Sequence, residues 1–165
     1  MHYALRYICH FLASNSRHGT HSPFVYALAD QVIYNPNYNI NRFIKFPEAF
    51  NAPYITLLGK ILDFWGIDQL STEMDDRPAR AVWLREVDQV DAEEILETIR
   101  QGQVLIIHEP YRKNVRRLWK QLTADSRVTV SINLFHFGLL LQREGQRKED
   151  FLLRYPGTPI VKKLR

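Results

Sequence analysis

His18 and His21 stand three positions apart, a separation that could set two imidazoles on one metal ion. No cysteine or further histidine lies close by to complete a tetrahedral set. The expected role is therefore to hold their loop against the body of the domain, with a ligand contact as the second reading and no metal. His108 and Glu109 follow the apolar run Gln103–Ile107, which has the length of a strand. That places them at a strand's carboxyl end, where open α/β sheets bind their ligands. An imidazole beside a carboxylate could serve as a general base or a metal-binding pair. An idle strand end is the simpler expectation. Glu86 and Asp88 follow the run Ala81–Leu84 in the same way and are weaker candidates. Arg112, Lys113, Arg116, Arg117 and Lys120 form a cationic group, and no acid interrupts the sequence from Arg112 to Ala124. Such a group could contact nucleic-acid phosphates. Five cations without interleaved stacking aromatics also describe an ordinary solvated helix face.

These residues must be positioned by recognisable elements. Gln103–His108 reads as a strand, Tyr111–Ala124 as a helix with Val115, Leu118, Trp119 and Leu122 on one face, and Val128–Leu141 as a β-rich pair with period two. Strand, helix and strand in that order are the unit of an α/β sheet. Ala81–Leu84 adds a short strand and Phe151–Tyr155 a last one. Asp91 and Glu94 have capping-box spacing before Ile95, Leu96 and Ile99, and Gly102 closes that helix. Upstream, Ala4, Ile8, Phe11 and Leu12 trace one face of a first helix, widened by Leu5 and Tyr7. Ser22-Pro23 has the form of an N-cap followed by proline at the first helical position. A third helix is expected over Pro53–Trp65, ended by Gly66. Residues 38–52 have no period, and Ser71–Arg80 reads as a loop.

The chain is expected to be one domain, 1–165, with a mainly helical part at 1–66, an α/β core at 80–156 and a basic tail at 157–165. A net charge of +4 and a pI near 9.3 permit an acidic partner without requiring one. Cys9 is the only cysteine, so no intrachain disulfide can form and a reducing, cytoplasmic setting is expected. No apolar run reaches membrane-spanning length. Arg6 and His10 interrupt the first segment, which favours an amphipathic helix over a signal peptide.

Two segments carry a resemblance. Arg17–Tyr26, reading RHGTHSPFVY, resembles the N-terminal signature of a group of bacterial class I S-adenosylmethionine-dependent methyltransferases. Val128–Arg154 is similar to the C-terminal hairpin of the same group. Ala81–Leu84 and Val104–Ile107 would stand as its fourth and fifth strands. In those enzymes a glycine-rich turn after the first strand lets backbone approach the cofactor, and an acid ending the second strand holds the ribose. The segment with His18 and His21 would cover the substrate side. Here the glycines sit at 19, 59, 66, 102, 138, 145 and 157, so no GxG occurs, and no room for the missing strands lies between Trp65 and Ala81. His108-Glu109-Pro110 replaces the acidic pair after the fifth strand, and Arg85-Glu86 the fourth-strand acid.

The resemblance with these departures implies a shortened Rossmann-like sheet of about four to five strands with N-terminal helices packed on it. The expected function is a non-catalytic binding or assembly module with no cofactor. The alternatives are a small-molecule methyltransferase using S-adenosylmethionine, completed by a partner chain if necessary, and a nucleic-acid binder using the helix at 111–124. Loss of neighbouring strands would leave the apolar 81–84 strand as an edge, to be covered by a homodimer partner, another protein or residues 38–65.

Overall fold

The computed structural model describes residues 3–15, 21–74 and 79–156. Five α-helices occur among them: α1 (Tyr3–Ala13), α2 (Pro23–Leu28), α3 (Ile55–Phe64), α4 (Ala92–Arg100) and α5 (Lys113–Ala124). α2 runs on into a π-helical turn over Ala29–Ile33. Six strands form one sheet: β1 (Leu70–Ser71), β2 (Ala81–Leu84), β3 (Val104–His108), β4 (Val130–Asn133), β5 (Phe137–Leu141) and β6 (Glu149–Leu152), in the order β1-β2-β3-β5-β4-β6. β1, β2 and β3 pair in parallel, as do β4 and β6, while β5 runs antiparallel between β3 and β4. No described helix is long and apolar enough to cross a membrane.

The expected class, an α/β sheet with helices packed on it, is the class observed, but the strand count is six rather than four to five. The extra strand is β1. Two residues are too few to show a period in the sequence, and only pairing with β2 defines them. That pairing also corrects the expectation for the strand at 81–84. β2 is not an edge: β1 flanks it on one side, β3 on the other, and all four of its residues are buried. The outer side of this region is met in turn by the irregular segment, where Lys45 N–H donates to the Asp68 carbonyl (2.8 Å) and Leu70 N–H to the Lys45 carbonyl (3.0 Å).

Alternation along the strands sorts side chains into two cores. Trp83, Val104, Ile106, Ile132, Phe137 and Leu139 face α2, its π-helical extension and α3, where Val25, Leu28, Val32, Leu58, Ile61 and Leu62 are buried. Val82, Leu84, Leu105, Ile107 and Leu140 face α4 and α5, against Ile95, Leu96, Ile99, Val115 and Leu122. The result is a helix–sheet–helix sandwich whose central strands are apolar on both faces, as buried parallel strands must be. β6 lies at 149–152, slightly before the expected 151–155.

Local signals place the helix ends as expected. Ser22 Oγ accepts from Val25 N–H with Pro23 in the first turn. Asp91 Oδ1 caps α4 by accepting from Glu93 N–H at 3.0 Å. Gly66 (φ 68°) and Gly102 (φ 90°) follow α3 and α4 in the left-handed conformation that ends a helix cheaply only with glycine. Asp63, buried near the end of α3, accepts from the Tyr38 hydroxyl (2.8 Å) and from the N–H groups of Asn41 (3.3 Å) and Arg42 (3.1 Å). One carboxylate thus pins the aperiodic segment, and burial with that carboxylate pushes the Tyr38 hydroxyl up to about 12.

α1 departs from its expected orientation. None of its residues is buried, and the apolar face read from the sequence, Ala4, Ile8, Phe11 and Leu12 with Leu5 beside it, is exposed, while Tyr7 turns inward. The helix instead packs through Tyr3, Tyr7 and His10, whose rings meet the buried Phe135 at 5.5, 5.0 and 5.3 Å. The Arg6 guanidinium donates to the Tyr111 carbonyl. Aromatic and hydrogen-bonding side chains, not the aliphatic stripe, decide which face turns inward.

Gly138 lies on the α5 face of β5, where Trp119 closes over its bare backbone. A Cβ there would meet the indole at 2.3 and 2.4 Å. Gly138→Ala is expected to destabilise the fold by about 1–3 kcal/mol through overpacking. Urea unfolding measures this, and adding Trp119→Leu should recover much of the loss. Equal midpoints for wild type and Gly138→Ala would refute the packing argument.

Candidate functional site

The carboxyl end of β3 holds the densest polar arrangement associated with the sequence candidates. Strand parity builds it. His108 has the same parity as Val104 and Ile106, and Trp83 the same as Ala81, so both point to the α3 side of the sheet. There they meet Tyr54, the residue before α3, which is 1% exposed. Trp83 Nε1 lies 2.9 Å from Tyr54 Oη, and Tyr54 Oη lies 2.8 Å from His108 Nδ1. An indole N–H can only donate. Tyr54 Oη therefore accepts from Trp83, which leaves its own O–H available to donate to His108 Nδ1. In that tautomer the imidazole proton sits on Nε2, which faces Glu109 Oε2 at 3.6 Å.

Glu109 is fixed independently. Its backbone is left-handed (φ 45°), a conformation that costs a non-glycine residue about 1–3 kcal/mol and persists only under external constraint. The constraint comes from both ends: its N–H donates to the His136 carbonyl at 2.9 Å, and its carboxylate receives Arg112 Nε at 2.5 Å. Burial, with the Glu109 carboxylate close by, raises the Tyr111 phenol well above its ordinary range. Burial lowers His108 from its usual value against a smaller opposing pull from Glu109. Burial also pushes the Tyr54 hydroxyl strongly upward.

Glu109, His108 and Tyr54 thus have the order of a carboxylate–imidazole–hydroxyl triad. The hydroxyl, however, is enclosed by Trp83, Phe50 and Phe137, with ring centroids of Phe137 and Phe50 at 4.5 and 6.0 Å from Tyr54. Nothing the size of a substrate can reach it. Above this cluster the strand ends are roofed by α1: Tyr3, Tyr7, Tyr111 and His136 close around Phe135, with Tyr111 stacked on it at 4.2 Å. The arrangement satisfies buried polar groups. Of the Glu109–His108–Tyr54 set, the His108 and Glu109 side chains, 11% and 19% exposed, lie nearer to solvent than Tyr54.

Other candidates separate in space. His18 lies outside the described residues, and His21 is exposed beside the α2 cap. No group of three or more metal-ligating residues forms among the described residues. Glu86 is 69% exposed and 3.9 Å from Arg85, while Asp88 accepts from Asn114 at 3.3 Å. Both belong to the surface rather than to the His108 cluster. Of the five cations, Arg112 is taken by Glu109, whereas Lys113, Arg116, Arg117 and Lys120 are exposed along α5. Sequence reasoning missed Tyr54. The signal was the shared parity of Trp83 and His108, two buried polar nitrogens that need one common partner. A cleft of about 460 Å³ opens elsewhere, between Val32–Pro36, the start of α3 and Tyr155–Pro156.

No known protein family, curated protein or solved structure matches this chain. The fold and site define a mixed-sheet α/β domain with a closed polar cluster at the end of β3.

The cluster carries a pH signature. The folded pKa of His108 lies below the value of about 6.5 expected in the unfolded chain, and that of half-buried His10 shifts the same way. Between the folded and unfolded values the unfolded chain binds more protons. Stability is therefore full above about pH 6.5 and lost as pH falls through the folded values. Melting temperature should drop on acidification below about pH 6.5, and His108→Gln should flatten that dependence without abolishing it. A wild type and variant with parallel pH profiles would sink the assignment.

Proposed function

We propose that this chain is a shortened, methyltransferase-like α/β domain that has lost group transfer and acts by binding or assembly. The observation that carries this is the exit from β1. A cofactor cradle needs open backbone N–H groups and glycine at that point. Here residues 72–80 contain no glycine, and Ser71 Oγ accepts from Glu73 N–H at 3.0 Å, so the turn closes on its own side chain. The residues present do not fit S-adenosylmethionine, and no step is derived through it. The aromatic roof over the end of β3 supports the same reading, as does burial of the Tyr54 hydroxyl. The resemblance rests on RHGTHSPFVY and on Val128–Arg154, the segment that supplies β4, β5 and β6.

Assembly has a surface of its own. Since 81–84 is interior, the partner belongs on α1, where Leu5 (50%), Ile8 (43%) and Leu12 (76%) form an exposed stripe at helical spacing. A second copy of this cytoplasmic chain is the proposed occupant. The runner-up, a methyltransferase completed by a partner chain, would require that partner to supply the missing cradle.

Two measurements test this. Thermal shift and calorimetry with S-adenosylmethionine or its demethylated product are expected to give no saturable signal, and micromolar binding would overturn the proposal in favour of the enzyme. Sedimentation equilibrium should find a dimer that Ile8→Asp/Leu12→Asp converts to a folded monomer. A wild-type monomer would remove the homodimer.

A further inference from the structure

Among the described residues, five arginines of this protein are paired with acids, and the exposed cations of α5 are not. Arg42 lies beside Asp63, Arg85 beside Glu86, Arg100 beside Glu97, Arg112 beside Glu109, and Arg127 between Asp125 and Glu93. Lys113, Arg116, Arg117 and Lys120 have no acidic partner among the described residues, and all four are exposed. Their spacing is i, i+3, i+4, i+7, so they make one stripe on one face. Val115 and Leu122 are buried on the opposite side and fix that orientation.

Like charges at this spacing repel one another and weaken a helix, and an ordinary solvated face relieves this with acids one turn away. α5 holds no aspartate or glutamate at all. Asp88 approaches it only through Asn114 near its start. A polyanion would remove the repulsion and release condensed counterions. We propose that the α5 stripe is a docking surface for the phosphate backbone of double-stranded nucleic acid.

Two observations fit a phosphate backbone, and a third selects the duplex. The stripe runs about 10 Å along the helix axis, a length that spans about three phosphates of one strand. One flank carries Asn114, which also donates to Asp88, and Gln121, hydrogen-bonding side chains suited to phosphate and sugar oxygens, and both are exposed. The aromatic of α5, Trp119, is half-buried over Gly138, so no ring is free to stack on an unpaired base. The same burial leaves α5 nothing apolar to insert into a bilayer. Binding is thus to backbone and without sequence preference.

This surface does not depend on whether a cofactor binds, because it lies on the other side of the sheet from Tyr54, and the two titrations read separate sites. Fluorescence anisotropy with a short random-sequence DNA duplex, followed between about 50 and 200 mM KCl, tests it. The expected plot of log K against log salt has a slope no steeper than about −3.6, the value for four neutralised phosphates. Lys120→Ala should reduce that slope by about one. Arg116→Glu/Arg117→Glu should weaken binding at least about tenfold, and Arg116→Gln/Arg117→Gln by less. Lys60→Glu/Lys45→Glu, an equal change of net charge away from α5, should leave affinity within about twofold. No binding at low salt, equal loss in the remote variant, or attachment to anionic phosphatidylserine vesicles in place of DNA would each overturn the proposal.

Discussion

The structure depends on a single reversed strand. β5 lies between β3 and β4 and pairs with both, Leu139 standing opposite Ile106 on one side and Ile132 on the other. Its N–H and C=O groups have no other partners of that quality, and without it β3 and β4 would each expose an unpaired backbone edge inside the hydrophobic core. Because β5 fills the gap, the two halves of the sheet share one continuous apolar surface on each face. Helices then cover both faces, since neither can be left to water.

The candidate site is a consequence of that arrangement. With β2 and β3 in parallel register, Trp83 stands opposite Ile106 and its parity matches that of His108. Two polar nitrogens then arrive in the same apolar layer, where an unpaired one would cost about 1–3 kcal/mol. Tyr54 satisfies both with one hydroxyl. The price is access: a group that bridges two buried nitrogens from within a ring of aromatics cannot also meet a substrate. The cluster therefore has the components of a catalytic triad and the environment of a core.

The same logic separates the two exposed helices. α5 is held by aliphatic residues and presents cations, the polarity expected from its sequence. α1 is held by Tyr3, Tyr7 and His10 and presents aliphatic residues. Phe135 explains the difference. It stands in the left-handed region (φ 68°) at the tight β4–β5 connection, which thrusts its ring out of the sheet's end and gives the aromatic side of α1 a buried partner.

Much of this was legible along the chain. The strands at 81–84, 104–108, 130–133 and 137–141 announce themselves by apolar runs and period two, and the caps at Ser22, Asp91, Gly66 and Gly102 by residue type. His108 and Glu109 were identifiable as a strand end, and the α5 stripe as an uninterrupted basic run. Those features are local, because each follows from how a residue constrains its own backbone or repeats with its own element. The two-residue β1, the inward face of α1, the diversion of Arg112 to Glu109 and the role of Tyr54 were decided only by tertiary structure. Each of them depends on a partner distant in the sequence, and a pattern within one segment carries no record of which distant group will complete its hydrogen bonds.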